Sequence, residues 1–217
     1  MTVPAPDGFA AACRSVGADA PEAALNDAAR DLLRRWSGPE RGYHDLEHLT
    51  EVLTHLAEVD CAAGEVVLAA WFHDAVYRCR PGQDEEDSAA LAVEVLTRLG
   101  VASSTARRVG DLVLVTAAHD PEAQDAGAAA LCDADLAILA APGPRYSAYV
   151  AGVRREYGHL DDATFRAGRA DVLGRLAARP QLYRTAAGRR RWESAARLNL
   201  STELRSLRDG PTGYPQR

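Results

Sequence analysis

Residues 66–72 read Val-Val-Leu-Ala-Ala-Trp-Phe, with no polar side chain among them, and stop at His73-Asp74. As a helix from Glu65 to about Tyr77, this stretch offers no face to water and predicts a central helix wrapped by others. An ionised carboxylate beside Trp71 and Phe72 costs several kcal/mol unless it is paired or coordinated. The chain has no lysine to offer it, since all 25 of its basic residues are arginine. A divalent cation shared by His73, Asp74 and a distant aspartate would meet the demand.

The wrapping is legible on either side. Apolar residues recur at helical spacing from Pro21 to Trp36, from about Tyr43 to the Ala63-Gly64 break, and from Asp84, as N-cap, to Gly100. The pattern continues over Ser103–Ala118, Gly127–Ala140, Tyr146–Tyr157, Ala163–Ala178 and Arg189–Leu207, with Gly, Pro and Asp at the stops. Alanine fills 43 positions, which favours helix. No stretch alternates with the period of a strand. The expectation is an all-α fold, a single bundle of about eight to ten helices over residues 21–207, after an N-terminal segment (1–20) and before a tail (208–217).

The chain has 217 residues, a formal charge of −6 and 47% apolar residues, which fits a soluble globular protein. The acidic balance argues against a nucleic-acid or anionic-membrane partner, and Arg189-Arg190-Arg191 reads as a solvated helix face. Without lysine, Schiff-base and P-loop chemistry are excluded. Apolar runs of about seven residues fall short of the roughly 20 of a membrane span, and Pro4, Pro6 and Asp7 do not read as a signal peptide. Cys13, Cys61, Cys79 and Cys132 form no C-x-x-C pair and read as small buried apolar residues of a cytoplasmic protein.

Only six histidines are present: His44, His48, His55, His73, His119 and His159. His55 is expected in the core and His159 on the surface. His48, His73-Asp74 and the Asp133-Ala134-Asp135 pair fall on three different helices. Two His and two Asp make a mixed nitrogen–oxygen set, suited to six-coordinate Mn, Fe, Ni, Co or Mg more than to a closed structural Zn.

The ordered motifs resemble the HD-domain superfamily of metal-dependent phosphohydrolases, and most closely a bacterial group of predicted HD phosphohydrolases. They are Tyr43-His44-Asp45-Leu46-Glu47-His48, Trp71-Phe72-His73-Asp74 before Tyr77, Asp84-Glu85-Glu86-Asp87-Ser88-Ala89, Thr116 to His119, Asp133 to Leu139, Arg154 to Tyr157, and Ala196 to Asn199. Asp84 departs from the Asn usual in that group. The resemblance covers roughly residues 20–205. It implies His48, His73, Asp74 and Asp135 as metal ligands, with Asp133 a cap or bonded neighbour, and a metal-bound water as nucleophile on phosphorus. It makes Asp74 and Glu85 catalytic, Glu85 as a general acid or base near the metal, and His44, His119, Arg41 and Arg154 contacts to a small phosphorylated metabolite or nucleotide. A homodimer is compatible with it. Other readings are a non-catalytic nucleotide-sensing module and a di-iron oxygenase that recruits His44 or His119. His44 to His48 also spells the inverted zinc-peptidase signature, which leaves His73, Asp74 and Asp135 without a role.

Overall fold

A computed structural model describes residues 4–59, 61 and 63–208; the tail from Asp209 onward lies outside them. Among the described residues the chain is all helix: α1 (Pro6–Ser15), α2 (Glu22–Trp36), α3 (Leu46–Glu58), α4 (Gly64–Phe72), α5 (Gln83–Arg98), α6 (Ser103–Val115) and α7 (Ala126–Asp135). A 3-10 turn (Leu136–Ala140) follows, then α8 (Gly143–Glu156), α9 (Asp162–Ala178) and α10 (Ala186–Arg208). No single helix there is long and apolar enough to cross a membrane.

The apolar stretch is central, as expected: α4 packs against α1, α3, α5, α6 and α7. Those helices share one apolar cluster around Phe9, Leu25, Trp36, Leu49, Trp71, Phe72 and Leu112. A second cluster joins the 3-10 turn to α8, α9 and α10 and includes Tyr43, Tyr149, Leu173, Tyr183 and Leu200. Asp135 is the last residue of α7, where the chain passes from the first cluster to the second.

Several boundaries differ from the sequence expectation, each for a physical reason. Residues 6–15, taken as part of a leading segment, form α1, whose Phe9 and Cys13 are buried in the first cluster. Helix α4 stops at Phe72 instead of near Tyr77. Its departing carbonyls are taken by side chains: Trp36 Nε1 donates to Trp71 O at 3.0 Å, Arg41 Nη2 to Asp74 O at 2.8 Å and Ser88 Oγ to Val76 O at 3.2 Å. Helix α3 opens at Leu46 and not at Tyr43, because the Asp45 carboxylate accepts Glu47 N–H and His48 N–H. Asp84 does not cap α5. Gly82, at φ +86°, stands at that position, and Glu85 Oε2 accepts its N–H at 2.6 Å. Asp84 instead accepts the amides of Arg78 and Arg80 at 2.6 and 2.9 Å, fixing the loop after the apolar helix. The expected helix 127–140 tightens into a 3-10 turn after Asp135. Cys13 and Cys132 are buried, whereas Cys61 and Cys79 are half-buried.

Candidate metal centre

The first turn of α3, the end of α4 and the end of α7 each deliver ligand-type side chains to one point. His48 and His73 are buried to within 2% of full enclosure. Their Nε2 atoms lie 3.1 Å apart. Asp74 Oδ2 is 3.3 Å from His73 Nε2 and 3.8 Å from His48 Nε2. His48, His73 and Asp74 thus each place one ligand atom within 4.8 Å of the others, a group able to hold a metal ion. Asp135 belongs with them on its distances to the same two imidazoles, with Oδ1 at 3.1 Å from His48 Nε2 and 3.6 Å from His73 Nε2.

The proton positions bear on what this cluster can hold. His73 Nδ1 is 2.9 Å from the Ala70 carbonyl, which only accepts. Nδ1 therefore carries the hydrogen, and in the neutral ring Nε2 offers a lone pair. His48 Nδ1 is 2.8 Å from the Tyr43 hydroxyl, and the tautomer that donates to it turns the Nε2 lone pair inward as well. Two imidazole lone pairs and two carboxylate oxygens then face one another. Such a set repels itself unless a proton or a cation sits among them, and a dication balances the two carboxylates. The donor set fits a divalent metal, with each imidazole oriented by a hydrogen bond on its far nitrogen.

The electrostatics agree. Burial lowers the His48 pKa, which keeps that ring neutral as a ligand must be. Burial also opposes charge on His73, but the Asp74 and Asp135 carboxylates outweigh it and raise that pKa well above the ordinary range. Burial alone would raise both carboxyls; His73 above all, aided by His44 at Asp74 and by His119 and His48 at Asp135, holds them low instead. The two carboxylates thus favour positive charge at His73, which a cation there would supply instead.

The surrounding residues sort themselves by what they touch. His119 Nε2 lies 2.7 Å from Asp135 Oδ2, so it reaches the cluster through a carboxylate. His44 lies outside α3, ahead of its cap, and its Nδ1 bonds Glu156 Oε2 at 2.8 Å. It is therefore not part of the helix expected from about Tyr43. Glu47, the acid of the peptidase-like spelling, is 57% exposed, apart from the buried pair. Glu85 is half-buried, with one oxygen committed to Gly82 N–H, and burial, joined by the charges of Asp74 and Asp84, raises its pKa.

The two arginines expected to touch phosphate already hold protein partners. Arg41 donates to the carbonyls of His44, Asp74 and Ala75, stacks over Trp36 and Tyr77, and leaves its buried Nε without a partner. It ties the entry of α3 to the exit of α4. Arg154 donates to Asp162, to the carbonyls of Tyr157 and Leu160, and covers Phe165, closing the turn between α8 and α9. Asp133 accepts the amides of Arg184 and Thr185 at 2.6 and 2.8 Å, the bonded neighbour expected of it. His55 is half-buried, not in the core; it bonds Glu58 and packs on Trp192. His159 is exposed.

Sequence reasoning missed Glu156. Its side chain has no exposed surface. Oε1 accepts the amides of Gly42, Tyr43 and His44 at 2.8, 2.8 and 2.9 Å, and Oε2 accepts from the Tyr77 hydroxyl at 3.1 Å. Burial would raise its pKa, but the His44 hydrogen bond and charge bring it down to about 2. The signal was present: an acid inside the Arg154-to-Tyr157 motif, on the face of α8 that also carries Tyr149 and Val153. Tyr43, the partner of His48, was quoted in its motif without a role.

The cluster opens to solvent only narrowly, at Asp74 and Asp135, whose side chains are 14% and 13% exposed. A cleft of about 470 Å³ lies elsewhere, between α3, the 3-10 turn and α10, beside Glu51, Ile138, Arg145 and Trp192. Its size carries less weight than the convergence of ligand atoms, since among the described residues the cluster is where metal-ligating groups come together. No family model, curated protein or solved structure matches this chain.

Proposed function

We propose that the chain is a metal-dependent phosphohydrolase of the HD type, acting on a phosphate ester or anhydride of a small metabolite or nucleotide. The observation that carries this reading is the inward-facing pair of imidazoles 3.1 Å apart, flanked by Asp74 and Asp135. The likeness of the ordered motifs to HD phosphohydrolases supplies the reaction class. His48, His73, Asp74 and Asp135 would hold the cation; Mn, Fe, Co, Ni, Mg and Zn are its candidates. Such a cation supplies Lewis acidity, lowering the pKa of water and drawing charge from phosphoryl oxygens.

The chain's own residues divide the rest of the work. Tyr43 and the Ala70 carbonyl hold the two imidazoles in their orientation. Trp36, packed 5.3 Å from the His73 ring and 6.1 Å from that of His48, keeps water from their inner side. With Arg41 bonded to backbone carbonyls and Arg154 to carbonyls and Asp162, substrate charge falls to His44, whose Nδ1 is fixed by Glu156 and whose side chain is 22% exposed. Glu85, whose pKa is raised by burial and by the charges of Asp74 and Asp84, is the group suited to take or give a proton.

The test is metal content of the purified protein together with phosphate release from a panel of nucleotides and phosphomonoesters. Metal at one per chain and turnover on at least one member are expected, both lost in Asp74→Ala. Full metal and activity in that variant would defeat the assignment. Nucleotide binding without turnover would replace it with a sensing module, and two irons with dioxygen uptake would replace it with an oxygenase.

A further inference from the structure

His119 adopts φ +48°, a conformation that residues with a Cβ seldom hold; Cys79 is the only other such residue described. Backbone of this kind persists where the surroundings impose it, and it marks functional positions often enough to ask what it does. Here the surroundings include the His119 amide's own bond to the Val115 carbonyl at 2.9 Å and one side chain from a distant helix end. Arg179, just past the end of α9, donates Nη1 to the His119 carbonyl at 2.8 Å and Nη2 to the Ala118 carbonyl at 2.6 Å. Arg179 is held in turn by Arg197 of α10, which donates to the carbonyls of Ala177 and Arg179, both at 2.6 Å. The corner that α6 leaves at His119 is therefore clamped from the far half of the molecule.

The clamped corner places His119 Nε2 2.7 Å from Asp135 Oδ2, while Oδ1 of the same carboxylate faces His48 and His73. We propose that Arg179 is a positioning residue: through the left-handed turn at His119 it locks Asp135 so that only Oδ1 is offered to a cation. This rests on reading the cluster as a metal site. A carboxylate confined to one oxygen suits a small ion such as Mn²⁺. It disfavours Ca²⁺, which takes more ligands and readily binds both carboxylate oxygens.

The experiment measures Mn²⁺ and Ca²⁺ affinity by calorimetry on the metal-stripped full chain. The proteins are wild type, Arg179→Met, His119→Ala and the double variant, with circular dichroism confirming the fold. Each single change is expected to weaken Mn²⁺ binding about 10- to 100-fold and to narrow its margin over Ca²⁺. The double variant is expected to bind no more weakly than the weaker single, because Arg179 acts through His119. If Arg179→Met does not fold, Arg179→Lys, which keeps the charge but reaches at most one carbonyl, takes its place with a smaller loss. Losses that multiply in the double variant, or an Arg179 variant with wild-type affinity and selectivity, would overturn this proposal while leaving the metal site standing. A wild-type chain that binds no divalent ion would remove the metal reading and this proposal with it.

Discussion

A methyl group at Gly152 should do the reverse of what helix propensity says. Gly152 lies inside α8, where Ala for Gly normally gains about 1 kcal/mol. A Cβ there would sit 2.5 Å from the Gly42 carbonyl oxygen and 2.9 Å from both Gly42 C and Tyr43 Cβ. The approach is mutual, since a Cβ on Gly42 would meet the Gly152 carbonyl oxygen at 2.2 Å. Backbone cannot rotate aside as a side-chain tip can, so α8 must recede, and overpacking of this kind costs about 1–3 kcal/mol. The retreat also stretches the three amide bonds to Glu156, one turn further on, each charge-assisted and worth roughly 1.5–3 kcal/mol when intact. The propensity gain offsets part of this, leaving a net loss of about 1–3 kcal/mol, or roughly 3–9 °C in Tm for a chain of this size. Urea unfolding followed by circular dichroism measures it. The controls are Gly168→Ala and Gly174→Ala in α9, where a Cβ would meet nothing within 4 Å. These should gain about 0.5–1 kcal/mol. A Gly152→Ala variant as stable as the two controls would refute the reasoning.

Three further outcomes follow from the same geometry. The Glu156 carboxyl, lowered from 4.5 to about 2 in the folded chain, contributes roughly 3 kcal/mol that is fully present above pH 4.5 and lost as pH falls toward 2. His44, whose pKa is raised by that carboxylate against its burial, contributes below pH 6.5 and loses its share as pH rises above that. The stability difference between wild type and Glu156→Gln should therefore peak between about pH 4.5 and 6.5; a difference that grew toward pH 2 would contradict the pairing. Arg169→Met should cost about 3–5 kcal/mol, because it strands the buried Glu203 carboxylate, while adding Glu203→Leu should recover much of the loss; equal stability of the single and double variants in urea would count against it. Mn²⁺ or Co²⁺ at a hundred times its Kd should stabilise the metal-stripped wild type by about 2.7 kcal/mol and leave Asp74→Asn nearly unmoved, so a thermal shift of the same size in both would place the ion elsewhere.

The helices were legible because their signals are local. Apolar spacing at 3.6 residues puts Leu25, Ala28, Ala29, Leu32 and Leu33 on one stripe without reference to anything else in the chain; Leu25, Ala29 and Leu32 are buried, Ala28 and Leu33 half-buried. The all-apolar run ending in His73-Asp74 already implied burial, and burial of an acid implied a partner. The alanine-rich α1 went unread because small residues give a weak apolar contrast, although Phe9 and Cys13 stand one turn apart on it.

Tertiary structure decided what each polar side chain touches. Local sequence can state that Arg41 and Arg154 carry charge. It cannot state that carbonyls released where α4 ends, or in the turn after α8, will take up their N–H donors, because those carbonyls are freed only by the fold. Nor can spacing reveal that Glu156 lies against residues 112–114 positions earlier in the chain. A hydrogen bond acts over about 3 Å, so the contacts that orient His44, His48 and Asp135 exist only once separated helices have been packed side by side.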